Sequence, residues 1–122
     1  MSEETPRLIP RLRLKSGDTI ALGPGKAQLL ELIQQHRSIS AAARALKMSY
    51  RRAWLLVNTM NTCFQKPLVL TATGGNQGGG AELSEEGLKV LTLYRQYEKA
   101  IAKRPELADL EALLSGPHTP SA

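Results

Sequence analysis

The chain has 122 residues, the size of one domain with its own core, and 42% of them are hydrophobic, although only Tyr50, Trp54, Phe64, Tyr94 and Tyr97 are aromatic. Cys63 stands alone, which excludes an internal disulfide; with no apolar run near 18 residues and no signal-peptide core, a cytoplasmic protein without a membrane span is expected. The net charge of +5 is uneven: residues 1–39 carry +2, residues 40–84 carry +4 and residues 85–122 carry −1, a basic centre that suits a polyanion.

In chain order, residues 1–7 read as a flexible start. From Leu8 to Leu14 apolar and basic residues alternate, broken by Pro10, the pattern of an edge strand. Ser16-Gly17-Asp18 makes a turn, and Thr19 to Leu22 returns as a second strand to give an N-terminal β-hairpin. Gly23-Pro24-Gly25 opens a helix to about Arg37, with Pro24 in the first turn, where a missing N–H is harmless. Leu29, Leu30, Ile33 and the stem of Arg37 form its inward face. Ser40 is the expected N-cap of a helix over about 41–47, and Ser49 that of a third helix over about 50–64.

Leu68 to Thr71 reads as a strand, Gly74 to Gly80 as a loop, and Ala81 to Leu83 as the returning strand. Ser84-Glu85-Glu86-Gly87 starts a long helix to about Lys103, its carboxylates matching the positive end of the helix dipole. Its apolar positions Leu88, Leu91 and Tyr94 are joined by Val90, Leu93, Tyr97, Ala100 and Ile101, and the stripe Val90, Leu93, Tyr94, Tyr97 and Ile101 is broad. Pro105 ends it; a short helix within 105–114 offers Leu107, Leu110, Leu113 and Leu114, and residues 115–122 read as a disordered tail.

The stretch Ser38 to Trp54, SISAAARALKMSYRRAW, is the most informative. It reads as a helix, a tight turn and a second helix that opens on two arginines: a helix-turn-helix, which seats its second helix in the DNA major groove. Ala42, Ala43, Leu46, Met48, Ala53 and Leu56 stand where such a unit needs small or apolar residues. Ala43 is the closest helix–helix contact, and Met48 plugs the turn. The turn position that requires φ > 0 usually holds glycine; here it is Lys47, at a cost of roughly 1–2 kcal/mol.

Ala53, Leu56, Val57, Met60 and Phe64 form the inward face of the third helix. Its exposed start is Ser49, Tyr50, Arg51 and Arg52. Arginine reads guanine O6 and N7 with two hydrogen bonds, and arginine or tyrosine holds a phosphate. Asn58, two turns further along, is expected to reach the DNA backbone. The bland alternative for the two arginines is a solvated face. Trp54 is expected to pack between this helix and the core rather than touch DNA.

The run Thr73-Gly74-Gly75-Asn76-Gln77-Gly78-Gly79-Gly80 lacks the Gly-Lys-Ser/Thr of a phosphate loop, and a strand follows it. A hairpin tip, the wing of a winged helix, fits better; a plain mobile loop is the alternative. The DNA-facing set is therefore Ser40, Lys47, Ser49, Tyr50, Arg51, Arg52 and Asn58, with Thr73, Asn76 and Gln77 from the wing. His36 and His118 are far apart and Cys63 lacks a partner at zinc spacing, so no metal, cofactor or catalytic set is expected.

SISAAARALKMSYRRAW, then Met60-Asn61, then ATGGNQGGGAELSEEG, resembles the N-terminal winged-helix domain of ModE-type molybdate-responsive regulators and, more distantly, LysR-type DNA-binding domains. The resemblance covers about residues 8–103. It implies a bacterial or archaeal regulator of molybdenum-related or other metal or oxyanion genes. It implies double-stranded DNA as partner and dimerisation through the N-terminal and long C-terminal helices. It places Ser49, Tyr50, Arg51 and Arg52 at the bases and phosphates. Three departures stand out: no Ser-Ala-Arg-Asn-type motif of the oxyanion-binding domains occurs, the wing lacks a basic residue, and Lys47 replaces the turn glycine.

The expected fold is mainly α with a small β component: a winged helix-turn-helix over 8–104, with an N-terminal β-hairpin and a long C-terminal dimerisation helix. The expected function is sequence-specific DNA binding by a homodimeric transcriptional regulator, not an enzyme. The rivals are a winged-helix interaction module and a small oxyanion sensor.

Overall fold

The computed structural model describes residues 7–72 and 80–115. The elements run β1 Leu14–Ser16, β2 Thr19–Leu22, α1 Pro24–His36, α2 Ile39–Ala45, α3 Tyr50–Cys63, β3 Val69–Ala72, β4 Gly80–Leu83, α4 Glu85–Ala102 and α5 Pro105–Ala112. The described residues are thus mostly helical, with two antiparallel two-stranded sheets, β1–β2 and β3–β4. The expectations for residues 1–6, the loop tip 73–79 and the tail 116–122 fall outside the described residues. Contacts divide the chain into two compact units, one of residues 11–94 and one of 1–10 with 95–122.

The first unit holds the core. Leu22, Leu29, Leu30, Ile33, Met60 and Leu68 are its largest fully buried side chains. Ala27, Ala42, Ala43 and Ala53 lie between them, small enough to bring α1, α2 and α3 close. Each large aliphatic group removed from water contributes about 1.5–3 kcal/mol. The expected inward residues Leu29, Leu30, Ile33, Ala53, Val57 and Met60 are all buried, while Leu46, Met48, Leu56 and Phe64 pack half-buried against the cluster.

The N-terminal hairpin is shorter than its alternation implies. β1 begins at Leu14, not Leu8, with Ser16 opposite Thr19 across Gly17, whose φ is 63°. Pro10 lacks a ladder donor. The Leu12 carbonyl is already taken by the Tyr94 hydroxyl, which donates to it at 2.7 Å, so this segment docks on α4 through a side chain.

Two boundaries also differ. α1 stops at His36 because Arg37 turns left-handed (φ 59°, ψ 31°), its N–H donating to the Ile33 carbonyl at 2.7 Å. Arg37 therefore leaves the inward face, and its side chain is exposed. Ser38, not Ser40, caps α2: its Oγ accepts from the Ala41 N–H at 3.0 Å, and the helix begins at Ile39, which it buries. Ser40 is an exposed residue of the first turn.

β3 and β4 pair from Val69 opposite Leu83 to Ala72 opposite Gly80. In the first unit α4 buries Gly87, Leu91 and Tyr94, a ridge at i, i+4, i+7. Of the expected stripe, Tyr94 is buried and Val90 packs half-buried on the core, whereas Leu93 and Tyr97 are 55% and 53% exposed.

In the second unit, Pro105 both follows α4 and stands at the start of α5, where its fixed φ suits the first turn. The Leu8 N–H donates to Glu111 Oε2 at 2.8 Å. Arg104 clasps Glu106 with Nε at 3.0 Å and Nη2 at 2.8 Å, which holds that carboxyl below its ordinary range. α5 buries no residue; Leu110 and Leu113 are exposed, and so is Tyr97 of α4.

Candidate nucleic-acid interface

The joint between α2 and α3 is made by backbone geometry. The Leu46 N–H is shared by the Ala42 and Ala43 carbonyls at 3.1 Å each, and Lys47 donates to Arg44 at 3.1 Å. Met48 then folds back to donate to Ala43 at 3.0 Å. This reversal needs one left-handed residue. Lys47 supplies it with φ 58°, as the turn's glycine rule demanded, and its side chain stays exposed.

Ser49 is extended, and its Oγ accepts from the Arg52 N–H at 3.0 Å, the cap expected of it. Such a cap contributes about 1 kcal/mol. It also fixes where the first turn of α3 begins, and so where Tyr50, Arg51 and Arg52 project. All three are exposed. Among the described residues neither arginine has a hydrogen-bond or salt-bridge partner for its side chain. No acidic residue occurs between Glu31 and Glu82, so Arg44, Lys47, Arg51 and Arg52 have no nearby carboxylate in sequence.

Successive residues of α3 advance by about 100°. With Ala53, Val57 and Met60 facing inward, Arg51, Leu55 and Asn58 face outward, and Arg52 and Trp54 lie on opposite flanks. Trp54 is 44% exposed and Leu55 51% exposed. The indole is thus not buried between α3 and the core as expected, but sits on an exposed flank of the helix.

The flanks are anchored differently. On the Arg52 side lies Lys26, half-buried in the first turn of α1. Burial is the main cause that lowers its pKa, the charge of Arg52 lowers it further, and Cys63 acts in the opposite sense. On the Trp54 side, Asn61 fixes the approach to β3. Its Oδ1 accepts from the Leu68 and Val69 N–H groups at 2.8 and 3.1 Å, and its Nδ2 donates to the Val69 carbonyl at 3.1 Å.

The β3–β4 hairpin is held at two further points. Ser84 Oγ donates to the Pro67 carbonyl at 2.6 Å and accepts from the Gly87 N–H at 3.0 Å. At the other side the Ala81 N–H donates to the Arg37 carbonyl at 3.1 Å, and Arg37 Nη1 meets Glu82 Oε1 at 2.6 Å.

Of the expected DNA-facing residues, Lys47, Ser49, Tyr50, Arg51 and Arg52 are contiguous through the turn, and Asn58 shares the outer side of α3. Ser40 sits apart on α2. Thr73, Asn76 and Gln77 lie outside the described residues. Sequence reasoning missed Trp54 and Leu55 as exposed groups, which the helical angle from Ala53 would have revealed. It also missed the bracing by Asn61, whose partners lie seven and eight positions away. Among the described residues no group of His, Cys, Asp and Glu is arranged to hold a metal, and no helix is long and apolar enough to cross a membrane.

Fold and site together define a small, mainly helical arrangement that presents an unpaired cationic helix start. No protein-family model matches the chain. It is 35% identical over 104 residues to the molybdenum transport protein ModE of Azotobacter vinelandii, covering 82% of this chain and 38% of that protein. It is 37% identical over 110 residues to the molybdenum-pterin-binding protein MopA of Rhodobacter capsulatus, covering 90% of this chain and 41% of that one. Over 83 residues it is 39% identical to the DNA-binding transcriptional dual regulator ModE of Escherichia coli K12, covering 68% and 32%. The chain is ModE-like, and it spans about two fifths or less of the length of these relatives.

Proposed function

We propose that the chain is a DNA-binding transcriptional regulator built as a winged helix-turn-helix. α2 and α3 form the helix-turn-helix, α3 enters the major groove, and β3–β4 is the base of the wing. The carrying observation is the start of α3: a capped turn that projects Tyr50, Arg51 and Arg52 with no anionic partner among the described residues. Arginines so placed have their donors free for guanine edges or phosphates. The regulator names of some relatives support the reading, and the molybdenum in the names of others points to molybdenum-related genes as its targets. The regulator acts as a homodimer, each copy offering one α3 to one half-site.

The test is duplex binding by the native chain and by the Arg51→Ala/Arg52→Ala variant, with folding checked by circular dichroism. Loss of site-selective binding in a folded variant supports the reading; undiminished binding rejects it.

A second reading, a docking module for another protein, has its own support in the exposed Leu110 of α5 and Leu113 just beyond it. Failure of the native chain to shift random duplex DNA at low salt and micromolar concentration would favour it.

A further inference from the structure

We infer that Trp54, with Leu55, is a specificity-determining contact that reads thymine methyl groups beside the arginines; this rests on the proposed DNA-binding function. Three observations carry it. First, the inward face of α3 is made by Ala53, Val57 and Met60, and Trp54 lies on its flank, outside the buried core cluster. Second, Trp54 and Leu55 stay 44% and 51% exposed side by side, a costly display of apolar surface on a helix whose other outward residues are polar. Third, they lie one helical turn beyond Tyr50 and Arg51, about 6 Å further along the axis, on the same solvent side.

The unpaired cations at the start of α3 favour a polyanion over an apolar protein groove as the occupant of this surface. Within a DNA major groove the one apolar group on a base edge is the C5-methyl of thymine. An apolar pair flanked by arginine and Asn58 therefore matches a thymine placed next to a guanine or phosphate contact, and a neutral indole adds shape and burial where a charge would only add affinity. Burying one methyl group against it amounts to about a fourfold gain in affinity.

The experiment uses a duplex selected by the native chain from a randomised pool, resynthesised with uracil for thymine at each position in turn. The chain has one tryptophan, so its fluorescence reports Trp54 alone. The expected result is a change in that fluorescence on binding, about fourfold weaker binding for uracil at one or two positions, and loss of this discrimination in Trp54→Ala. Trp54→Phe keeps an apolar ring and should keep the discrimination, which guards against a folding defect in the alanine variant. Tight binding with no methyl dependence, with or without a fluorescence change, overturns the inference and leaves DNA binding standing. If no duplex is selected at all, both fall.

Discussion

Gly87, in the first turn of α4, lies so close to the Leu68 carbonyl that a Cβ would fall inside van der Waals contact with it. The same carbonyl accepts the Ser84 N–H at 2.9 Å. Helix α4 and the entry to β3 thus meet backbone to backbone. Gly87→Ala is expected to destabilise the fold by about 1–3 kcal/mol, the usual cost of overpacking, with one of the two backbones forced aside. Urea denaturation measures it; an unchanged midpoint would contradict the packing.

Asn61 is the second brace of the same region. Asn61→Ala would leave the Leu68 and Val69 N–H groups and the Val69 carbonyl without this partner. A loss of about 2–3 kcal/mol is expected, because buried donors left unmet cost more than a bond contributes. Asn61→Asp keeps the acceptor for both N–H groups and should cost less. Comparing the two denaturation curves separates the role of the acceptor from that of the donor.

Lys47 carries opposing demands. Its left-handed backbone favours glycine, so Lys47→Gly should raise stability by up to about 1 kcal/mol. If its ammonium neutralises a phosphate, the same change should weaken duplex binding and reduce the slope of log affinity against log salt by about one. Binding titrations at several salt concentrations, set beside a thermal melt, test both signs in one variant.

Lys26 makes stability pH-dependent. Burial, reinforced by Arg52, lowers its pKa from the ordinary 10.5. Between the lowered folded value and 10.5 the unfolded chain binds more protons than the folded one, so stability rises with pH across that window. Below the window the folded protein carries the cost of a half-buried charge. Lys26→Met should therefore be more stable than the native chain near neutral pH, and the gap should close at alkaline pH. Denaturation midpoints taken from neutral to alkaline pH would show a constant gap if Lys26 played no part.

What the sequence made legible was whatever a local rule dictates. The turn after α2 needs one residue at positive φ and one apolar plug, so Lys47 and Met48 were identifiable without coordinates. Ser49 was equally clear, since it alone precedes the helix. Ser38 and Ser40 were not separable by capping preference. The choice fell to Arg37, whose left-handed backbone ends α1 and leaves Ser38 extended. Trp54 was misread because bulk was taken for burial, although its angle from Ala53 put it on a flank of α3 rather than on the inward face. Gly87 and Asn61 were illegible for another reason: their roles exist only once β3 has been brought beside α3 and α4.

Arg37 and Ser38 are the whole connection between α1 and α2, and both are fully committed. Arg37 ends one helix, lends its carbonyl to Ala81 and its guanidinium to Glu82, while Ser38 starts the next helix. The connection has no slack. A residue inserted or deleted there would release the hairpin and uncap α2 in a single step, so this two-residue joint should be the least tolerant of length variation in the first unit.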